Sequence, residues 1–164
     1  GLGQLGLDGG LDSWNGPMGT IPRQPTPTNQ TLEPMPFVGL VLVDEVMGNL
    51  QSQKNIVLDA RANDRFHGEN ETLDPVGGHI PGAINHFFKD NLSATAFKTP
   101  EQLFKDFIDL LGPNKPSQVI HQCGSGVTAC HNLLAMEVAG LKGSRLYAGS
   151  WSEWCANPER PIEL

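Results

Sequence analysis

The stretch Val119-Ile-His-Gln-Cys-Gly-Ser-Gly-Val-Thr-Ala-Cys-His-Asn-Leu-Leu-Ala-Met-Glu-Val-Ala139 decides the fold. Val119 to His121 reads as a short buried strand, and Val127 to Ala139 reads as a helix. Between them two glycines and a serine break both patterns. A strand that passes through a glycine loop into a helix is the repeating unit of a parallel α/β sheet, whose ligands sit at the carboxyl ends of the strands.

The same alternation continues on either side. Phe37 to Val41 reads as a strand, Val43 to Leu50 as a helix with Val43, Val46, Met47 and Leu50 on one face, and Ile56 to Ala60 as a buried strand. Thr99-Pro-Glu-Gln102 is a capping box with proline at the first helical position. It opens a helix whose Leu103, Phe104, Phe107, Ile108 and Leu111 are expected to form one apolar stripe, ended by Gly112-Pro113. Arg145 to Tyr147 is the last strand. The expected fold is an α/β domain with a central, mostly parallel sheet covered by helices on both faces.

Charge and composition narrow the function classes. The chain has 164 residues, with 18 acidic against 11 basic side chains and a formal charge of -7. A phosphate backbone or an anionic membrane surface demands clustered Lys and Arg, so neither nucleic acid nor membrane is an expected partner. No run approaches the roughly 18 uncharged apolar residues of a membrane span. The three cysteines, Cys123, Cys130 and Cys155, are an odd count in a chain of ordinary size, and no secretory signal opens the sequence as written. Reduced thiols in a cytoplasmic setting are therefore expected.

Glycine and proline are unevenly spread. Residues 1 to 36 hold 7 Gly and 6 Pro, and the tract 21–36 has proline every few positions with no hydrophobic period, as an extended linker would. The folded unit is expected to start near Phe37. Leu7-Asp-Gly-Gly-Leu-Asp-Ser-Trp14 lies over Tyr147-Ala-Gly-Ser-Trp-Ser-Glu-Trp154, with Gly9 on Gly149 and Trp14 on Trp154, 140 residues apart. In both copies a strand is expected to leave into a short helix whose tryptophan packs back on the sheet. Residues 1–20 thus read as the end of a preceding unit, 21–36 as linker and 37–164 as the main domain.

The densest chemistry lies in His121 to Cys130. Glycines between a strand end and a helix start let backbone N–H groups turn toward a common centre, and the helix adds partial positive charge there. A cysteine opening such a loop is expected to act as a thiolate nucleophile, which singles out Cys123. Cys130 and Cys155 read as structural. Gly124-Ser-Gly126-Val-Thr-Ala129 also matches a dinucleotide-binding pattern, but Tyr147 and Ala148 stand where its acidic residue belongs. A metal site from His121, Cys123, Cys130 and His131 is disfavoured because the adjacent pair diverges around the helix. A phosphatase loop needs an arginine, and positions 124 to 131 hold no Arg or Lys. Neither a metal nor a nucleotide cofactor is expected.

Cys123-Gly-Ser-Gly-Val-Thr128 resembles the active-site loop of rhodanese-fold sulfurtransferases, in particular the 3-mercaptopyruvate branch. Leu58-Asp-Ala-Arg61, Arg65-Phe66, Gly78-His-Ile-Pro-Gly-Ala-Ile-Asn85 and Gly149-Ser-Trp-Ser-Glu-Trp154 resemble that family too, over Phe37 to the C-terminus. Leu7 to Trp14 then resembles the end of an N-terminal domain of the same kind, which in the family supplies acid or base help. The resemblance implies a transferase with an active-site cysteine: Cys123 takes sulfur from a small anionic donor as a persulfide and passes it to a thiol acceptor, thioredoxin or a small thiol, or to cyanide. Gly124, Ser125, Gly126, Val127 and Thr128 would cradle the sulfur, with Ser125 either assisting catalysis or only forming the turn. Arg65 matches the arginine that binds the donor carboxylate; its alternative reading is a surface salt bridge. Arg61 reads as the partner of Asp59, His79 as a loop-fixing hydrogen bonder, and His121 as packing beneath the loop.

The neutral Gly124 and Ser125 favour a monoanionic mercapto acid over thiosulfate, since basic residues follow the cysteine in thiosulfate-using relatives. Two positions depart from the mercaptopyruvate pattern. Residues 69–76 lack its second arginine, and Ala148 replaces an acidic residue. A non-catalytic rhodanese module is the remaining alternative, against which the intact Cys123 loop argues.

Overall fold

The computed structural model describes residues 8–19 and 39–164. In chain order the elements are β1 (Leu40–Val41), α1 (Val43–Ser52), β2 (Ile56–Asp59), α2 (Asn63–Phe66), β3 (Ile84–Asn85), β4 (Leu92–Ser93), β5 (Ala96–Phe97), α3 (Pro100–Leu111), β6 (Val119–Gln122), α4 (Val127–Val138), β7 (Arg145–Tyr147) and α5 (Ser150–Cys155). The central sheet runs β1-β7-β6-β2-β3, and each neighbouring pair is parallel. β4 and β5 form a separate antiparallel hairpin. The parallel α/β architecture expected from the alternating pattern is what the chain adopts.

Successive side chains on a strand point to opposite faces, and this divides the core in two. Val57 and Ile120 face the layer holding Val46 of α1, Phe66 of α2, and Trp151 and Trp154 of α5. Leu58 and Val119 face the layer holding Leu103, Phe107 and Leu111 of α3 and Ala135 and Met136 of α4. Both buried indoles keep their N–H groups satisfied, Trp151 Nε1 donating to Val76 O at 2.8 Å and Trp154 Nε1 to Pro161 O at 2.9 Å.

The capping box forms as read, with Thr99 and Gln102 bonded reciprocally across the first turn of α3. Its apolar stripe is narrower than expected. Leu103, Phe107 and Leu111 are buried, whereas Phe104 and Ile108 are 47% and 38% exposed. Their column of the helix turns past the edge that the opposing layer covers.

The linker 21–36 and the start at Phe37 lie outside the described residues. Of the half repeat, Gly9 has a left-handed φ of 85° and opens only a 3-10 turn at Gly10–Ser13, whereas Gly149 is right-handed. Trp14 is 51% exposed and Trp154 is fully buried. The expected packing of Trp14 on a sheet is therefore not seen, for among the described residues no sheet lies beneath it. Asp8 Oδ1 instead accepts the Phe97 N–H at 3.2 Å, tying this segment to the β4–β5 hairpin.

His121 sits in β6, fully buried, with neither ring nitrogen hydrogen bonded among the described residues. Burial, aided by the nearby His86, pushes its pKa down from 6.5 to about 3. The unfolded chain therefore binds a proton before the native chain does. Stability contributed by neutral His121 is complete above pH 6.5 and is lost as pH falls toward 3. Urea midpoints measured between pH 7 and 5 should fall with pH, and His121→Leu should flatten that slope. His131, whose pKa burial also lowers, contributes to the residual slope in the same direction.

Candidate active site

Cys123 follows β6 directly and is 2% exposed, packed against Ala60 and Ala129. It lies in the wall of a cleft of about 260 Å³ together with Ala60, Arg61, Arg65, Leu73, Phe87, Phe88, Gly124, Ser125, Val127 and Thr128. The structure thus brings together Cys123, Ser125, Arg65, Gly124, Val127 and Thr128, which lie up to 63 positions apart in the chain. Gly126 stands beside them as the N-cap of α4, with φ 83°. A methyl group there would approach Ala148 O to 2.7 Å, so both the left-handed backbone and the close contact require glycine. Gly124 has no such conformational need. A methyl there would stand 3.8 Å from Arg65 Nη2, which locates the arginine directly across from the loop.

The loop is gripped from behind by the start of α5. Trp151 N donates to Cys123 O at 3.0 Å, and Ser152 N donates to Gly124 O at 2.9 Å. Ser150 Oγ accepts the Cys123 N–H at 3.1 Å and donates to Tyr147 O at 2.9 Å. Within a trans peptide the N–H points opposite to the C=O. Because the Cys123 and Gly124 carbonyls face α5, the N–H groups of Gly124 and Ser125 point away from it. The N–H groups of Gly124 to Thr128 have no acceptor among the described residues. They are free for an anion at the head of α4, where the helix dipole adds to them.

Ser150 is a loop-holding residue with no signal in the sequence. It is fully buried at φ 54°, a backbone conformation uncommon outside glycine. Its two hydrogen bonds hold it there. A serine between glycine and tryptophan carries no local signal of this role, because its partner lies 27 residues upstream.

Two arginines border the cleft. Arg61 pairs with Asp59 as read, Nη2 approaching Oδ2 to 2.6 Å and also donating to Gly78 O at 2.8 Å. Its guanidinium stacks over Trp151 at 4.8 Å. Arg65 combines the two alternatives drawn from the sequence. It borders the cleft, yet Nε and Nη2 are engaged by Glu71 at 2.8 to 3.1 Å. Asp74 Oδ2 stands 3.5 Å from the same Nη2. Burial raises the pKa of the Glu71 carboxyl, but the Leu73 N–H, Arg65 and the Asp74 N–H together outweigh it and hold it below the usual value. Glu71 and Leu73 had no assigned role in the sequence, since only the fold turns the 69–76 loop back onto the cleft.

His79 fixes its turn as expected, with Nδ1 2.9 Å from Phe66 O and its ring stacked on Phe66. Cys130 is exposed on α4, and Cys155 is buried in the layer of α5, where burial first and Asp74 second raise its pKa. Neither lines the cleft.

Comparison with known proteins bears on the family and the fold. The sequence profile of the rhodanese-like domain matches residues 42–157. The chain is 45% identical over 165 residues to the probable 3-mercaptopyruvate sulfurtransferase of Pseudomonas aeruginosa, covering 95% of this chain and 56% of that protein. It is 38% identical to the human 3-mercaptopyruvate sulfurtransferase, over 95% of this chain and 54% of the relative. It is 37% identical to the mouse thiosulfate sulfurtransferase, over 90% and 52%. The chain thus spans about half the length of the curated relatives it matches. Among solved structures, the Tum1 protein of Saccharomyces cerevisiae aligns with a TM-score of 0.64 at 28% identity, covering 76% of this chain and 46% of its own. Wild-type EanB shares the fold, with a TM-score of 0.80 at 22% identity over 96% of this chain and 40% of its own. By its profile match, its relatives and its sheet topology, the chain belongs to the rhodanese-like domain family.

Proposed function

We propose that this chain is the cysteine-bearing domain of a sulfurtransferase that carries sulfur as a Cys123 persulfide, with 3-mercaptopyruvate the favoured donor. The observation that carries the reading is Cys123 in the wall of a cleft at the head of α4, beside a run of backbone N–H groups with no acceptor among the described residues. The Cys123 thiolate attacks the donor sulfur. A sulfur–sulfur bond forms, the donor carbon–sulfur bond breaks, and its electron pair passes to carbon, leaving the enolate of pyruvate, which takes up a proton. The N–H groups of Gly124 to Thr128 and the helix dipole stabilise negative charge on the outer sulfur. The Ser125 hydroxyl donates to the developing enolate, and Arg65 Nη1 holds the donor carboxylate. An acceptor thiolate then attacks the outer sulfur and releases Cys123 as thiolate; thioredoxin or a small thiol would serve, and cyanide would leave as thiocyanate.

The similarity to thiosulfate sulfurtransferases supports thiosulfate as the second donor to test. The absence of Lys and Arg from positions 124 to 131 argues for the monoanion instead. We further propose that residues 1–20 close a preceding domain of the same family, joined through 21–36, which completes the site, and that the protein works in the cytoplasm. Among the described residues no helix is long and apolar enough to cross a membrane.

Incubation with 3-mercaptopyruvate should add the mass of one sulfur atom to the chain, reversibly by cyanide, and Cys123→Ser should abolish the gain. A chain that gains no sulfur from either donor would refute the mechanism. Ser150→Ala leaves the buried Cys123 N–H unpaired, and should lower stability by about 1 to 3 kcal/mol and slow sulfur loading. Ser150→Gly, free of the left-handed strain, should be more stable than Ser150→Ala by about 1 kcal/mol in urea unfolding while loading as slowly.

A further inference from the structure

Glu71 is a buried acid standing behind the cleft wall, paired to Arg65, which lines the cleft beside Cys123. Its side chain is 4% exposed. Oε1 accepts the N–H groups of Leu73 at 2.9 Å and Asp74 at 3.1 Å, which pins the carboxylate in place. Both oxygens take Nη2 of Arg65, at 2.8 and 2.9 Å, and Oε2 also takes Nε at 3.1 Å. The same Oε2 stands 3.7 Å from Arg61 Nη1, a buried nitrogen with no hydrogen-bond partner among the described residues. Asp74 adds a second carboxylate 3.5 Å from Arg65, and its other oxygen accepts from Ser152 Oγ at 2.6 Å. Ser152 is the residue whose N–H holds Gly124 O. The acid pair is therefore joined mechanically to the cysteine loop.

Two consequences follow from this geometry. Arg65 has two of its three nitrogens committed, and Nη1 is the one without an acceptor among the described residues. Arg65 thus offers an anion in the cleft one nitrogen, not the fork that grips a carboxylate or a sulfonate edge. The second consequence is electrostatic. Among the described residues, the guanidinium groups of Arg61 and Arg65 face three carboxylates, Asp59, Glu71 and Asp74. Each fixed negative charge repels a dianion twice as strongly as a monoanion at the same distance.

We infer that Glu71, seconded by Asp74, is a specificity-determining residue that turns the cleft against dianionic sulfur donors and toward singly charged ones. It does so by occupying Arg65 and by placing a fixed negative charge beside the site, with no contact to the donor required. This rests on the sulfur-transfer reading above. Leu73, 79% exposed on the same loop and lining the cleft, presents an apolar surface and so restores no positive charge.

The test is the rate of sulfur loading on Cys123, followed by mass spectrometry under single-turnover conditions, with 3-mercaptopyruvate and with thiosulfate. Glu71→Gln keeps an oxygen for the Leu73 and Asp74 N–H groups while removing the charge. It should raise the thiosulfate-to-mercaptopyruvate loading ratio by about tenfold. Glu71→Asp, which keeps the charge, should keep the wild-type ratio, and Asp74→Asn should shift it in the same direction as Glu71→Gln by a smaller factor. Added salt should raise the ratio in the wild type more than in Glu71→Gln. Equal changes for both donors in folded Glu71→Gln, or an unchanged ratio in both neutralised variants, would overturn the inference while leaving sulfur transfer intact. A wild-type chain that loads from neither donor would overturn the reading and this inference with it.

Discussion

The site depends on one arrangement above all, the hold that the first turn of α5 has on the backbone of Cys123 and Gly124. A helix start has N–H groups to spare, and here Trp151 and Ser152 give theirs to the two carbonyls that follow β6. Rigid peptide planes then turn the neighbouring N–H groups to the opposite side. The cradle at the head of α4 is thus a consequence of hydrogen bonds made behind it. Ser150 completes the hold by accepting the Cys123 N–H, and its left-handed backbone is kept by burial and two hydrogen bonds.

The electrostatics of the cleft are arranged in the same indirect way. A buried guanidinium is tolerated only when paired, and Arg61 meets that demand through Asp59 and Gly78 O. Arg65 is paired by Glu71, and Glu71 is itself held by the N–H groups of its own loop. Positive charge is present where an anionic donor would bind, but it is rationed by carboxylates. For a protein of net charge -7, attraction of an anion has to be local, and one nitrogen of Arg65 and the head of α4 are sources of it at the cleft.

Much of the sheet is legible in the amino-acid sequence. The runs Ile56-Val-Leu58 and Val119-Ile120 are apolar without alternation because a parallel sheet is covered on both faces, and helix α3 announces itself by its capping box. The elements that could not be read are the shortest ones. Two-residue strands such as β3, the hairpin β4–β5 and the single turn α2 carry too few residues to show a period. The width of the α3 stripe failed for a different reason: Phe104 and Ile108 are apolar, but which column of a helix meets the opposing layer depends on how the two pack. Trp14 shows the same limit, since likeness to Trp154 in sequence does not supply a sheet to pack against.

Within the site, the division is between what is contiguous and what is assembled. Cys123, its glycines and the helix that follows lie in one stretch, so the sequence alone determined the cysteine-bearing loop, its neutrality and the parallel α/β frame, through chain conformation and local charge. The tertiary structure decided which groups face that loop. Arg65 and Glu71 come from the segment after β2, and Ser150 from the turn after β7, brought to β6 because these strands are neighbours in the sheet. A hydrogen bond or an ion pair acts over a few ångströms, whatever the separation along the chain, and only packing decides which distant residues come that close.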